Sequence, residues 1–567
     1  MKRCPQCGRG YVDESLSYCL DDGSRLLHGP WTAEPRTEVL PGESPTREQI
    51  ENGPPLTNPP EREPVSAATP QTTTKRLIIP VAIAALLLAA GAIFYRYWQS
   101  GESGTPIDSI AVLPFQNRNA DSDTEYLSNG LAESLIYRLS QMPDLKVSPT
   151  STVLRYQGAE IDPVTVGKEL GVSAVLSGRI VQHGDSITIS ADLVDVANNR
   201  LLWGEQYDRK MSALLDTQRQ IAKEIVEKLK LKVSPNETGL AKHYTENNEA
   251  YQAYLKGRYY WNKRTNESMH KSIDYYKQAI AVDPTFALAY SGLADSYNLI
   301  CAPEAGAGDE APNEMLPQAK AAALKALELD STLAEAHISI THSLYFYDRD
   351  WAAAEREFKT AIELNPRYST AHHWYAVYLT VVGRQPEALA EIKLAQELDP
   401  LSLSINVWVG WVLAFNGQTD AAIEQLLRTK EMDPNFLLTR HRLAMLYAEG
   451  KRFDDAIGEA RELSRLSGGR LGTFTLAYVY AAAGRRKEAL EQLDKWTKSS
   501  AGRFVAPASI AMVYAVLGDK DVAFRWLERA NAEHDLLAVR LKNDPRFAVL
   551  RGDPRFVDLV KRMGMPQ

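Results

Sequence analysis

The stretch from Asn365 to Pro400 reads NPRYSTAHHWYAVYLTVVGRQPEALAEIKLAQELDP, and its pattern decides the architecture. It opens on Asn365-Pro366 and closes on Asp399-Pro400. A third such pair, Asp433-Pro434, follows, so the three stand 34 residues apart. Between them the same residue classes recur in register. Tyr375, Ala376, Leu379, Gly383, Ala388, Ile392 and Ala395 align with Val409, Gly410, Leu413, Gly417, Ala422, Leu426 and Thr429. The next copy supplies Leu443, Ala444, Tyr447, Gly450, Ala456, Ala460 and Leu463, and two more follow with a one-residue slip. The apolar spacing inside each copy is helical, and proline marks the end of the second helix of a pair. Small residues at the eighth and twentieth positions let the two helices approach closely, and large ones fill the gaps between them.

A period of 34 residues is that of the tetratricopeptide helix pair. Taking Tyr251–Pro284 as the first pair, residues 245–537 hold about eight repeats of an all-α solenoid, stabilised by stacking because one repeat cannot bury its own apolar face. Asp330-Ser331 keeps the register without proline, and Cys301 to Asn313 reads as a loop inserted between two helices. Residues 538–567 carry a doubled phrase, Asp544-Pro-Arg-Phe547 and Asp553-Pro-Arg-Phe556, which we expect to cap the last pair with its two phenylalanines.

In such repeats the first helix of each pair lines the concave face. Its inward positions here include His373, Val377, Val407, Trp411, His441, Met445, Phe474 and Tyr478. That surface is apolar and aromatic and suits an extended peptide or a helix of a protein partner. The same side chains also suit packing between neighbouring repeats. The set lacks the Asn and Lys residues that grip a peptide carboxylate in chaperone-binding relatives. His337, His342, His372 and His373 lack two further ligands at metal-binding spacing, so no metal is expected there.

The N-terminus has a different chemistry. Cys4, Cys7 and Cys19 are three of the four cysteines in the chain, and Asp22 stands where a fourth ligand belongs. Two Cys-x2-Cys-like knuckles around a short loop are the layout of a zinc ribbon, and a carboxylate is an acceptable fourth ligand. Asp21 and His28 are the other candidates for that place. Residues 1–28 are too few to build a core, so structural zinc has to supply their folding energy. The segment resembles the short zinc-ribbon domains at the N-terminus of many bacterial membrane proteins.

Residues 29–74 hold ten prolines and no sustained apolar period, which predicts a disordered tether. Leu77 to Tyr95 then runs 19 residues without a charge, enough for a helix of about 28 Å, and Tyr97 and Trp98 follow. We therefore expect one transmembrane helix over 77–98. Arg62, Lys75 and Arg76 on one side against Arg96 on the other orient the N-terminus to the cytoplasm and the rest beyond the bacterial inner membrane.

Residues 107–235 read as an α/β unit: a buried strand from Ile107 to Phe115, a helix from Thr124 to Gln141, a second from Pro163 to Leu170, then an antiparallel meander from Ala174 to Trp203 and a last helix from Met211. Gly167-Lys-Glu-Leu-Gly-Val172, Ser177-Gly178-Arg179 and Leu202-Trp-Gly-Glu-Gln-Tyr-Asp-Arg209 resemble the TolB amino-terminal-like domain. That domain recurs in bacterial signalling proteins ahead of tetratricopeptide arrays. The resemblance implies a fold and a setting, without a chemistry.

The chain is therefore expected to be multidomain: a zinc ribbon, one membrane helix, a TolB-like α/β domain and a tetratricopeptide solenoid. No phosphate loop, nucleophile–base pair or paired carboxylate site stands out, so no catalytic residue is named and no small-molecule substrate is evident. A net charge of −8 makes nucleic acid an unlikely general partner. The leading expectation is a membrane-anchored scaffold in signalling or envelope assembly. The alternatives are a transmembrane regulator whose ribbon touches nucleic acid, and a nucleotide-acting α/β domain.

Overall fold

The computed structural model describes residues 2–3, 10–11, 27–28, 107–119, 124–142, 144–158, 162–229, 244–302 and 310–566. Cys4, Cys7, Cys19, Asp22 and Asp21, the linker 29–74 and the apolar run 77–98 lie outside the described residues. The chain divides into two units, Met1–Ser103 and Gly104–Gln567. In the first, β1 (Lys2–Arg3) pairs antiparallel with both β2 (Gly10–Tyr11) and β3 (Leu27–His28). In sequence, Cys4 and Cys7 fall in the first connection and Cys19 and Asp22 in the second.

The second unit opens with the α/β domain. β4 (Ser109–Val112) is buried at every position, as a strand covered on both faces must be. It lies parallel to β6 (Lys146–Val147) on one side and to β7 (Ala174–His183) on the other. The short β5 (Gln116–Asn117) also runs parallel to β7. β7, β8 (Ser186–Asp195) and β9 (Arg200–Lys210) form the antiparallel meander, giving the order β6-β4-β7-β8-β9. Alternation of buried and half-exposed residues along β8 shows that the meander has one covered face. The helices are α1 (Glu125–Ser140), α2 (Thr150–Val153), α3 (Pro163–Leu170) and α4 (Leu214–Lys228). Asp162 caps α3 through the amides of Val164 and Thr165, with Pro163 in its first turn. The helix stops at Gly171 in the left-handed conformation. Gly167 lets α3 close on the sheet: a Cβ there would stand 2.3 Å from Val196 and 2.9 Å from Val175. The sequence pattern missed β5 and α2, both too short to show a period.

Eight helix pairs follow among the described residues. They are α5 (Asn248–Asn262) with α6 (Asn266–Val282), α7 (Ala287–Ile300) with α8 (Pro312–Leu329), α9 (Ala334–His342) with α10 (Trp351–Leu364), and α11 (Ser369–Val382) with α12 (Gln385–Leu398). Then come α13 (Leu403–Phe415) with α14 (Thr419–Met432), α15 (Leu437–Glu449) with α16 (Phe453–Leu466), α17 (Arg470–Ala482) with α18 (Arg486–Ser499), and α19 (Pro507–Val516) with α20 (Lys520–Ala532). The small positions Ala376, Ala388, Ala422, Ala444 and Ala456 are fully buried, which is where helices touch. Ser343–Asp348 prolongs α9 as a π turn.

One polar clasp recurs in four successive repeats. The sixth residue after the inter-repeat turn reaches back to a turn carbonyl and across to the second helix. His372 faces the Pro366 carbonyl at 3.0 Å with Nε2 and Glu391 at 2.6 Å with Nδ1. His337 repeats this with Ser331 at 3.0 Å and Glu357 at 2.5 Å. Asn406 donates to the Pro400 carbonyl at 2.8 Å and accepts from Gln425 at 2.8 Å. Arg440 donates to the Pro434 carbonyl at 2.9 Å and to Glu459 at 2.8 Å. The residue types differ while the geometry holds, so these histidines serve packing.

The α/β domain does not hang free of the array. α1 lies along α5: Tyr251 donates to Ser134 at 2.8 Å, Tyr259 to Glu125 at 2.5 Å and Arg258 Nε to Glu133 at 2.8 Å. At the far side of the groove, α2 meets the turn between the fourth and fifth repeats. There Thr152 donates to Asp399 at 2.8 Å, and Ser151 donates to the other oxygen of the same carboxylate. Asp399 is only 3 % exposed.

The chain beyond α20 enters the groove from the opposite end. His534 stacks on Tyr347 at 4.5 Å, and Asn543 donates to the Val381 carbonyl at 2.7 Å. The doubled phrase takes two roles. In both copies the aspartate accepts from the arginine amide two residues on, at 3.0 Å. Asp544–Arg546 is buried against Trp411, whereas α21 (Pro554–Arg562) lies on α20, with Arg555 bonding Asp521 at 2.8 Å.

Two outcomes are expected. Burial opposes the charge on His337 and His372, but the facing glutamate and carbonyl outweigh it and raise both above the ordinary 6.5. Their contribution is thus fully present below pH 6.5 and lost as pH rises through the raised values. In denaturant melts, the stability gap between wild type and the His337→Gln, His372→Gln double variant should be widest below that pH and shrink above it. Second, Ser151→Ala with Thr152→Val strands a buried carboxylate and should cost about 1–3 kcal/mol. Adding Asp399→Asn should return part of that loss.

Candidate functional site

The eight groove residues named from the sequence are all 6 % exposed or less. His373 stacks on Trp374 at 4.8 Å. His441 meets the Thr475 hydroxyl at 2.8 Å, and Phe474 lies 5.1 Å from Trp496. Trp411 carries the guanidiniums of Arg442 at 3.9 Å and Arg546 at 5.0 Å. Val377, Val407, Met445 and Tyr478 are packed in the same interior. In this conformation a partner does not meet these side chains. Trp411 faces the returning segment at Arg546, whereas His441 and Phe474 pack against neighbouring helices of the array.

What stays open is a cavity of about 530 Å³. Its walls come from three places: Ser151 to Arg155 of the α/β domain, the first helices of the array, and Leu536 to Arg540 beyond α20. Phe346, Trp374, Trp408, Phe436 and Leu438 make the apolar part. A second cavity of about 360 Å³ adjoins it beneath α1 and is the more polar of the two, bordered among others by Glu133, Arg258, Asp295 and Glu335. Arg264, Asn262, His342 and Trp374 line both.

The electrostatics of this junction follow from burial. Arg258 is held on Glu133, and the carboxylate keeps its guanidinium well above the ordinary range despite burial. Burial pushes Glu335 up to about 7, and it raises Asp295, which accepts the Ser339 hydroxyl. Burial pushes His342 down to about 4 and His373 to about 3, so both rings are neutral at physiological pH. Burial, with Arg258 nearby, lowers Arg264 to about 10, which leaves it charged. Of these groups only His373 was named as a site residue from the sequence. They lie far apart along the chain and converge only when the repeats curve and α1 docks.

Among the described residues, no group of three or more His, Cys, Asp and Glu stands ready to hold a metal, and no helix is long and apolar enough to cross a membrane. Trp203 and Tyr207 are buried in the domain core, and Arg209 is exposed with its guanidinium 5.9 Å from the Tyr207 ring.

Residues 107–224 match the family described as HilA/YgeH-like transcriptional regulator, second domain, and residues 343–402 match a tetratricopeptide repeat family. The putative adenylate cyclase 3 of Rhizobium meliloti (strain 1021) is 29% identical over 187 residues, 33% of this chain and 32% of that protein. The chain thus spans about a third of the length of the curated relative it matches. Among solved structures, PilF of Pseudomonas aeruginosa is 19% identical, covering 39% of this chain and 94% of its own with a TM-score of 0.30. YrrB, a tetratricopeptide protein with an unusual peptide-binding site, is 22% identical, covering 35% and 95% with a TM-score of 0.24. On its helix pairs and the match at 343–402, the chain is a tetratricopeptide repeat protein that also carries an α/β domain.

Proposed function

We propose that this protein is a membrane-anchored adaptor without catalysis of its own. Its repeat array holds a protein partner beyond the cytoplasm, and a zinc ribbon marks its cytoplasmic end. The observation that carries this reading is the array itself: eight helix pairs, with the α/β domain docked on them through α1 and α2. Such arrays present surfaces to proteins and peptides. Since the deep groove residues are taken up internally, the partner surface has to lie elsewhere on the repeats. Leu394 and Leu427 stand 38% and 39% exposed on the second helices of successive repeats, and an apolar side chain so placed gains most by being covered.

The anchor is the uncharged run Leu77 to Tyr95, and the zinc donors are Cys4, Cys7, Cys19 and Asp22. Three thiolates and a carboxylate are a donor set zinc accepts. The three short antiparallel strands around the two cysteine-bearing connections support the ribbon reading. The match of residues 107–224 favours a second reading, a membrane-bound regulator whose ribbon contacts nucleic acid. The cyclase activity in the Rhizobium relative's name is not carried over, because the sequence displays no catalytic constellation and the match covers only about a third of either chain.

Full-length protein purified in detergent should retrieve one defined protein from its own membranes, and Leu394→Glu with Leu427→Glu should lose it. Recovery of chaperones alone counts against the adaptor. Metal analysis should find about one zinc per chain, absent in Cys4→Ser. Zinc-dependent retention of the full chain on DNA would favour the regulator.

A further inference from the structure

Arg264 lies at the junction outside any ion pair among the described residues, with Asp295 and Glu133 acting on it from farther off. It sits between α5 and α6 with a φ of 56°, a left-handed conformation that non-glycine residues rarely adopt. That turn lays its guanidinium 3.7 Å from the centre of the Trp261 ring, on which Arg258 also rests at 4.6 Å. The two arginines then part ways. Arg258 is paired with Glu133. Among the described residues, no carboxylate lies within ion-pair distance of Arg264, and Asp295 is engaged by Ser339. A guanidinium presents five donors in a planar fork that matches a carboxylate, and Arg264 is half-buried on the cavity wall.

The surroundings of Arg264 are short of hydrogen bonds in the same place. His373, 4 % exposed, has no partner at Nε2 and borders the smaller cavity. Asn298, 3 % exposed, spends its Nδ2 on the Ser339 carbonyl at 2.8 Å and leaves Oδ1 unmet beside the same space. The larger cavity, on whose wall Arg264 also stands, is apolar at Phe346, Trp374, Trp408, Phe436 and Leu438, with Arg155, Arg540 and Asp433 elsewhere on the wall. Its volume of about 530 Å³ falls in the range of small-molecule sites. The chain's own flanking segments form part of its walls, and its size suits a small molecule better than an extended peptide.

We propose that this cavity binds a small organic monocarboxylate with an aromatic or branched apolar body, its carboxylate seated on Arg264 and its body between Trp374, Trp408, Phe346 and Phe436. A guanidinium outside any ion pair favours a negative charge, and the aromatic part of the wall favours an apolar remainder. Because the walls come from the α/β domain, the array and the segment beyond α20, such a ligand ties all three together.

The test uses full-length protein in detergent with 3-phenylpropionate and its uncharged isostere 3-phenylpropionamide, read by calorimetry. The acid should bind at least about ten-fold more tightly than the amide, the scale of one charge-assisted pair. Arg264→Gln should abolish that preference, and Arg264→Lys should keep part of it, with both variants melting as wild type does in the absence of ligand. Equal binding of acid and amide, an undiminished preference in Arg264→Gln, or no binding of either at millimolar concentration overturns the proposal.

Discussion

A curved stack of helix pairs makes a concave face lined by first helices, and the apolar side chains on that face have to be covered. This chain covers them from within. α1 and α2 of the α/β domain press into one part of the groove, and the segment from His534 to Arg546 crosses another. Trp411 and Trp408 lie at the meeting point, under the guanidiniums of Arg546 and Arg540. An aromatic face against a cation is stabilising where water is excluded, and it lets a charged segment lie on an apolar floor. The docked domain and the returning C-terminal segment thus supply the cover that a partner supplies in an open array.

The same packing explains the polar character of the junction. Glu133, Arg258, Asp295 and Glu335 are side chains that an exposed groove would leave in water. Docking of α1 removes that water. Some charges then find partners, as Arg258 does on Glu133, and others respond by shifting toward neutrality, as Glu335 does. Buried pairs add little net stability, but breaking one is expensive, which makes them good at fixing a single docking geometry. Asp399 acts likewise at the other contact: its neighbours at equivalent turns bind their own backbone, whereas its carboxylate accepts hydroxyls of the α/β domain.

Much of the fold was legible because it rests on local rules. The repeat period, the small residues at helix contacts, the capped helix at Asp162 to Gly171 and the alternating strands of the meander are each a short-range pattern with a physical cause. The direction of the groove side chains was legible too, since helix geometry alone turns His373, Trp411 and Tyr478 inward. Their occupation was not, because nothing near Trp411 in sequence announces that Arg546 will return to it across more than a hundred residues. The clasp of His372, Asn406 and Arg440 was hidden for a different reason. It conserves geometry while changing residue type, and a pattern of identities cannot register that.

The sequence by itself determined the solenoid and the α/β unit, since helical period, strand alternation and turn chemistry act over a few residues. It also marked the N-terminal cysteines and the uncharged run as separate chemistries. Only the tertiary structure decided what faces what: that the α/β domain and the C-terminal segment enter the groove, that Glu133 takes Arg258 and leaves Arg264 outside any ion pair, and that a cavity remains between three distant segments. The reason is that burial and charge pairing are properties of surfaces brought together by curvature and docking, and no single stretch of chain carries them.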